Sequence, residues 1–192
     1  DSSAIPTTLV SKAARKDVTV ALSADGGDEI FGGYNRYGYM HRYGKTLNLI
    51  PQAVRKIIAN TMGNISSENI PILKNKYNFH NRYERTKTFL ENPNKKEIML
   101  SLNQQFSDEQ MKNIMKSEFQ SLPTMFESKE MLESFKSPLS YMMAIDFQTY
   151  MLDDILQKVD RASMTNSLEA REPMLDHRIL EFAAQLPDEY KY

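Results

Sequence analysis

Two groups of residues in this sequence carry the types and spacing that chemistry needs. The first is Ser23-Ala24-Asp25-Gly26-Gly27-Asp28-Glu29, with three carboxylates gathered around a pair of glycines. Asp25, Asp28 and Glu29 suit a cation, or acid–base work beside an amine. Gly26 and Gly27 allow backbone angles that residues with side chains resist. A glycine-rich turn from a strand into a helix is also a common seat for an anion, because the helix start offers free N–H groups and the positive end of a dipole. The plainer alternative is that Asp25 or Asp28 caps the helix and the glycines make a tight turn. Spacing alone does not separate the two. The second group is Lys158 and Arg161, three apart and so on one helical face. Two cations side by side can hold a polyphosphate or a departing pyrophosphate; equally, they can pair with Asp154 and Asp160 as a solvated charge cluster. Glu169 and Arg171 alternate on an extended segment and share a face, as an ion pair or as a substrate contact.

These residues need elements to position them. Ser2 or Ser3 caps a helix running to about Lys16, with Pro6 in its first turn and an apolar stripe of Ile5, Leu9, Val10 and Ala13. Val18–Ser23 is a β-branched run of strand length, with Val18, Val20 and Leu22 on one face and the small Thr19, Ala21 and Ser23 on the other. Glu29-Ile30-Phe31 opens another helix. Pro51 starts a segment with Val54, Ile57 and Ile58 at helical spacing. Residues 64–96 are polar, aromatic and irregular, with no assigned element. Ile98, Leu102 and Phe106 form a stripe. Ser107 and Gln110 fit a capping box before Met111, Ile114, Met115 and Phe119. Ser137-Pro138 begins a helix, Asp154 caps one through about Met164, and residues 167–174 are extended. Asp176 caps a last helix that Pro187 stops. The chain therefore reads as mainly α with one or two strands, and as one domain. A lone strand makes no sheet, so partners for Val18–Ser23 are either missed here or supplied from elsewhere.

Composition closes off several classes of function. There is no cysteine, which excludes disulfides, thiolate metal sites and cysteine nucleophiles. The 24 basic and 25 acidic residues nearly cancel, so charge argues for neither a nucleic-acid nor a membrane-surface partner. The aromatic and basic run Tyr34–Tyr43 fits a packed, half-exposed helix better than base stacking. No apolar run has transmembrane length, and no signal peptide opens the chain, which points to the cytoplasm. His41, His80 and His177 are far apart in sequence and make a poor metal set.

The run Ser23-Ala24-Asp25-Gly26-Gly27-Asp28-Glu29-Ile30-Phe31-Gly32-Gly33-Tyr34 closely resembles a signature of the asparagine synthetase family, S-G-[DE]-G-[GS]-D-E-[LIV]-F-G-G-Y. Ala24 stands where that family usually has glycine; a positive φ there would strain it, and its methyl could crowd a ligand. Residues 146–164 and 167–176 resemble a second signature, D-x-x-x-Y-L-x-D-D-x-L-x-K-x-D-R-x-S-M followed by S-L-E-x-R-x-P-F-L-D. Departures are Met151 for leucine, Glu172 where valine is common, and Met174 for phenylalanine. Agreement is strong towards both ends of the chain and weak from about residue 45 to 135.

The resemblance implies a partial α/β fold of the ATP-pyrophosphatase (adenine nucleotide alpha hydrolase-like) type lacking its N-terminal part. It implies a reaction in which ATP and Mg²⁺ activate the side-chain carboxylate of aspartate as an adenylate, pyrophosphate leaves, and ammonia drawn from glutamine gives asparagine. By the same resemblance, Asp25 matches the position that takes a proton from attacking ammonia. Lys158 and Arg161 steady the phosphates, and Asp28 lies by the metal and pyrophosphate. Ser23, Ala24, Gly26, Gly27, Glu29 and Tyr34 line the substrate and nucleotide. The glutaminase domain and the S-G-G-x-D-S pyrophosphate loop are not in this sequence, so the chain is expected to be a later part of the synthetase domain, inactive alone, self-associating, and partnered by the missing N-terminal segments. Amidation of another carboxylate, such as a sugar acid or peptide precursor, and a non-catalytic helical module remain as alternatives.

Overall fold

A computed structural model describes residues 1–38, 46–47, 49–71, 79–91, 94–104, 106, 108–115, 120 and 122–191. His41, Ser107 and Phe119, and the Tyr39–Tyr43 part of the aromatic run, lie outside the described residues. The chain gathers into two compact units, one of Asp1–Tyr37 with Glu133–Tyr192 and one of Gly38–Leu132.

The first unit holds the chemistry-bearing residues. It starts with α1 (Ala4–Ala14), then β1 (Val20–Leu22) and α2 (Gly27–Phe31). After residue 132 it resumes with α8 (Pro138–Gln148), numbered after the helices of the second unit below. A π-helical turn, Met151–Leu156, runs straight into α9 (Gln157–Met164). β2 (Glu169–Arg171) and α10 (His177–Gln185) follow. The sequence motives for these boundaries hold where they are local. Ser137 Oγ accepts from the Ser140 N–H at 3.3 Å ahead of Pro138, and Asp176 Oδ1 accepts from the Arg178 N–H at 2.9 Å. Asp154 does not cap α9; it sits inside the π-helical turn, where the backbone is already helical. α2 is shorter than a usual helix, because Gly32 at φ 74° ends it after Phe31.

The partner missing for β1 is β2. The two strands pair in parallel, with Val20 opposite Glu169, Ala21 opposite Ala170 and Leu22 opposite Arg171. The ladder extends one residue further at each end, through Glu169 N–H to Thr19 O at 2.9 Å and Ser23 N–H to Arg171 O at 2.8 Å. Ser167, at φ 57°, turns the chain out of α9 towards β2, while the Leu168 N–H donates back to Ser163 O. Val18, Val20 and Leu22 share a face as expected, but that face is open, with Leu22 74% exposed. On α1 the apolar stripe also points outward, Ile5 at 70% exposure; the buried residue is Ser11. Core formation falls to α8, where Leu139, Tyr141, Met142, Met143 and Ile145 are buried.

The second unit is helical. α3 (Gln52–Gly63), α4 (Phe79–Glu91), α5 (Lys95–Asn103), α6 (Asp108–Ile114) and α7 (Lys129–Ser134) make it up. α4 occupies part of the stretch with no assigned element, and Tyr83, Phe89 and Leu90 are its buried side chains. Ile98 and Met99 anchor α5, whose cap Asn94 accepts from the Glu97 N–H at 2.8 Å.

Candidate active site

The turn after β1 is built by its neighbours. Gly26 adopts φ 90°, and the space a Cβ would take there is filled by Leu175. Met174 Cε touches the same turn at Gly27. The Pro173–Leu175 turn after β2 thus packs directly on the acidic turn after β1. At Gly33 the Asp28 carboxylate occupies the space a Cβ would take. Ala24 lies outside the set of positive-φ residues, which among the described residues are Ser167, Gly26 and Gly32. The strain considered for an alanine there is therefore absent.

Ser23, Asp25 and Lys158 line one cleft of about 360 Å³, walled by Thr7, Ser11 and Ala170. The Ser23 hydroxyl donates to Asp25 Oδ2 and fixes that carboxylate. Lys158 reaches the cleft from α9, with its side chain only 12% exposed and its Nζ 3.5 Å from Asp1 Oδ2. Arg161 lies in an adjoining cleft of about 360 Å³, which Lys158 also lines, together with Asp153, Asp154 and Thr8. The two cations do share a face. The π-helical turn immediately before them, a feature that often marks functional positions, brings Asp153 and Asp154 to the same cleft. Asp28 is exposed on the first turn of α2 and lines neither cleft. Of the two arrangements open to them, Glu169 and Arg171 make the ion pair, at 2.7 Å on the exposed face of β2.

The other side of α2 is sealed. Glu29 is 2% exposed and accepts from the Tyr34 hydroxyl at 2.7 Å. Asp146 of α8, 1% exposed, accepts from Arg36 Nε at 2.9 Å and from the Tyr37 hydroxyl at 2.7 Å. The Arg36 guanidinium lies over the rings of Tyr34 and Tyr150, 4.4 Å and 4.8 Å from their centroids. Burial pushes the Asp146 carboxyl up, against the opposing pull of Tyr37 and Arg36. Burial, and then Glu29, push the Tyr34 hydroxyl up; burial, and then Asp146, do the same for Tyr37. The two tyrosines therefore stay protonated at neutral pH. Sequence reading did not foresee this knot: Arg36 and Asp146 are 110 residues apart.

The family model described as asparagine synthase matches residues 1–192. The chain belongs to the asparagine synthase family. It is 32% identical over 194 residues to asparagine synthetase [glutamine-hydrolyzing] 1 of Bacillus subtilis, covering 100% of this chain and 28% of that protein. It is 28% identical over 195 residues to a provisionally named glutamine-hydrolyzing asparagine synthetase of Mycobacterium tuberculosis, covering 97% of this chain and 27% of that protein. A provisionally named asparagine synthetase of Methanocaldococcus jannaschii matches a shorter stretch, 68% identical over 34 residues, 18% of this chain and 7% of that protein. The chain thus spans 28% of the length of its Bacillus subtilis relative. No solved structure matches it. Among the described residues, no helix is long and apolar enough to cross a membrane.

Proposed function

We propose that this asparagine synthase family chain supplies part of a cytoplasmic, ATP-dependent amide-forming ligase that makes asparagine. Aspartate's side-chain carboxylate attacks ATP, pyrophosphate leaves, and ammonia derived from glutamine displaces AMP. The chain would be the later part of an ATP-pyrophosphatase-type domain, completed by further segments of the same protein. The observation that carries this reading is the cleft shared by Ser23, Asp25 and Lys158, with Arg161 in the adjoining cleft.

The roles follow from chemistry. Lys158 and Arg161 meet the charge that builds on the departing pyrophosphate. Asp25, held by the Ser23 hydroxyl, accepts the proton that nitrogen loses as the amide forms. Gly26 and Gly27 allow the turn that carries Asp25, and Ala24 adjoins substrate and nucleotide, while Glu29 and Tyr34, sealed against each other, hold that turn in place. Mg²⁺ takes one or two carboxylates along with phosphate oxygens, so an exposed Asp28 fits as its protein ligand. When bound, the ion neutralises phosphate charge.

The test uses the full-length gene product that carries this sequence. Aspartate-dependent pyrophosphate–ATP exchange is measured beside asparagine production. Asp25→Asn should spare exchange and lower product formation by about 10²–10⁴-fold, the usual loss when a general base is removed. If Asp25→Asn abolishes exchange as fully as product, Asp25 is a metal or structural residue and the assignment fails.

A further inference from the structure

Lys158 lines both clefts of the site, with its side chain 12% exposed. In one cleft, the Asp25 carboxylate is engaged by the Ser23 hydroxyl. In the other, Asp1 Oδ2 lies 3.5 Å from Lys158 Nζ, and among the described residues Asp1 is the carboxylate that pairs with this lysine. Asp1 is itself fixed. Its Oδ1 accepts from the Ser3 N–H at 2.8 Å, and its Oδ2 accepts from the Ser3 hydroxyl at 2.6 Å. Asp1 O accepts from the Ala4 N–H at 3.2 Å, which ties the same turn to the start of α1. α1 is held in turn to α9 through Asn166, whose amide donates to Thr8 O at 3.2 Å and to Ala162 O at 3.1 Å. The Asp1 carboxylate therefore has a fixed place relative to the helix that carries Lys158 and Arg161. A lysine ammonium rides on a flexible four-carbon stem, and a largely buried cation needs a counter-charge. A carboxylate held by two bonds selects one arrangement of that stem, the one facing the cleft that Arg161 also lines.

We propose that Asp1 is a positioning residue for Lys158: it holds the ammonium towards the cleft shared with Arg161, where pyrophosphate charge builds, and away from Asp25. The proposal rests on the amide-forming reading above. A cation settled on Asp25 would keep that carboxylate ionised and lower its affinity for a proton. That is the wrong setting for a group that must take a proton from nitrogen. A cation aimed at the phosphates instead meets the charge that grows as pyrophosphate departs. At 3.5 Å the pair is longer than a charge-assisted hydrogen bond, so the ammonium can turn to phosphate without losing a tight partner. Asp1 touches no reacting atom in this scheme; it acts through Lys158.

The experiment uses the full-length gene product and follows aspartate-dependent pyrophosphate–ATP exchange as ATP is varied. Asp1→Asn keeps an acceptor for the Ser3 N–H and removes the charge. Its kcat for exchange should fall about 10–10²-fold, the cost of a misplaced group, while KM for ATP changes by less than about twofold. In a Lys158→Ala background, Asp1→Asn should cost nothing further, because the residue it positions is gone. Asp1→Glu keeps the charge and should recover part of the rate. Ser3→Ala frees one side of the carboxylate and should lose less than Asp1→Asn, again in kcat. Exchange at the wild-type rate in Asp1→Asn overturns the proposal. So does an equal loss with and without Lys158, or a loss confined to KM. Should Asp1→Asn fail to fold, Ser3→Ala carries the same comparisons. A wild-type protein with no aspartate-dependent exchange would instead overturn the amide-forming reading, and this proposal with it.

Discussion

On the open side of α2, Asp25 is half-exposed and held by one hydroxyl, while Asp28 meets solvent. On the sealed side, Glu29 and Asp146 are buried, and Tyr34, Tyr37 and Arg36 take up their oxygens. One short acidic motif thus feeds both the proposed site and an anchorage. The sealed side locks α2 to α8, and α8 continues through the π-helical turn into α9, which carries Lys158 and Arg161. The knot therefore sets where Asp25 stands relative to Lys158. The carboxylates proposed to exchange protons with a ligand are reachable; those that hold elements together are sealed with donors.

The largest effect that could break this contrast lies on the sealed side. Arg36→Met leaves the Asp146 charge buried without its cation, and should cost about 3–5 kcal/mol in urea unfolding. Arg36→Met with Asp146→Leu should recover most of that loss, because removing both partners removes the buried charge. A single variant within about 1 kcal/mol of wild type would show that the knot anchors nothing. On the open side the response should be inverted. Lys158→Ala should leave unfolding nearly unchanged, yet slow pyrophosphate–ATP exchange by about 10²–10³-fold, as removal of one charge-stabilising donor does. Equal losses of stability and exchange in Lys158→Ala would erase the distinction between the two sides.

How far the sequence revealed this arrangement depends on the range of the interaction involved. Ser137, Asp176 and the β1 run were legible because caps and strand alternation are written within a few residues. Lys158 and Arg161 were legible as one face for the same reason. The pairing of β1 with β2 was not, since a parallel ladder joins segments far apart in sequence and leaves no local mark on three residues. The Arg36–Asp146 pair was hidden likewise, each half looking like an ordinary motif residue. On α1 the apolar stripe was legible as a stripe, but not that it would lie open. Periodicity reports which residues segregate together, not which neighbour covers them. α4 was missed because Tyr83, Phe89 and Leu90 are too few apolar anchors to stand out in thirteen polar-rich positions.

The open side extends to the bare face of β1 and α1, which offers a solution-phase test. Val18, Val20 and Leu22, with Ile5, Leu9 and Val10, leave apolar surface exposed beside a short strand edge. The 192-residue chain should therefore show concentration-dependent sedimentation. Leu9→Lys with Leu22→Lys should shift it towards monomer, while Glu169→Lys on the same sheet, already polar, should do little. Sedimentation as a monomer by the unaltered chain at high concentration would show that this face needs no cover.

The smallest expected effect separates the sides most finely, through the pH dependence of stability. Burial raises the folded-state pKa of Glu172 above its unfolded value. A carboxyl so shifted contributes its stability below the unfolded pKa, where it is protonated in both states, and loses it as pH rises through the folded pKa. The native state then binds more protons than the unfolded one across that window, so wild-type stability falls towards neutral pH. Glu172→Gln keeps the shape and removes the titration. The variant and the wild type should unfold alike at acidic pH, and the variant should be the more stable at neutral pH, with a higher urea midpoint. Glu29 offers the counterpart on the sealed side, since its carboxylate is met by the Tyr34 hydroxyl. Glu29→Gln changes the acceptor of that hydrogen bond and should weaken the protein. If Glu172→Gln were destabilising at neutral pH while Glu29→Gln were not, the division of α2 into a reactive and an anchoring side would be the wrong way round.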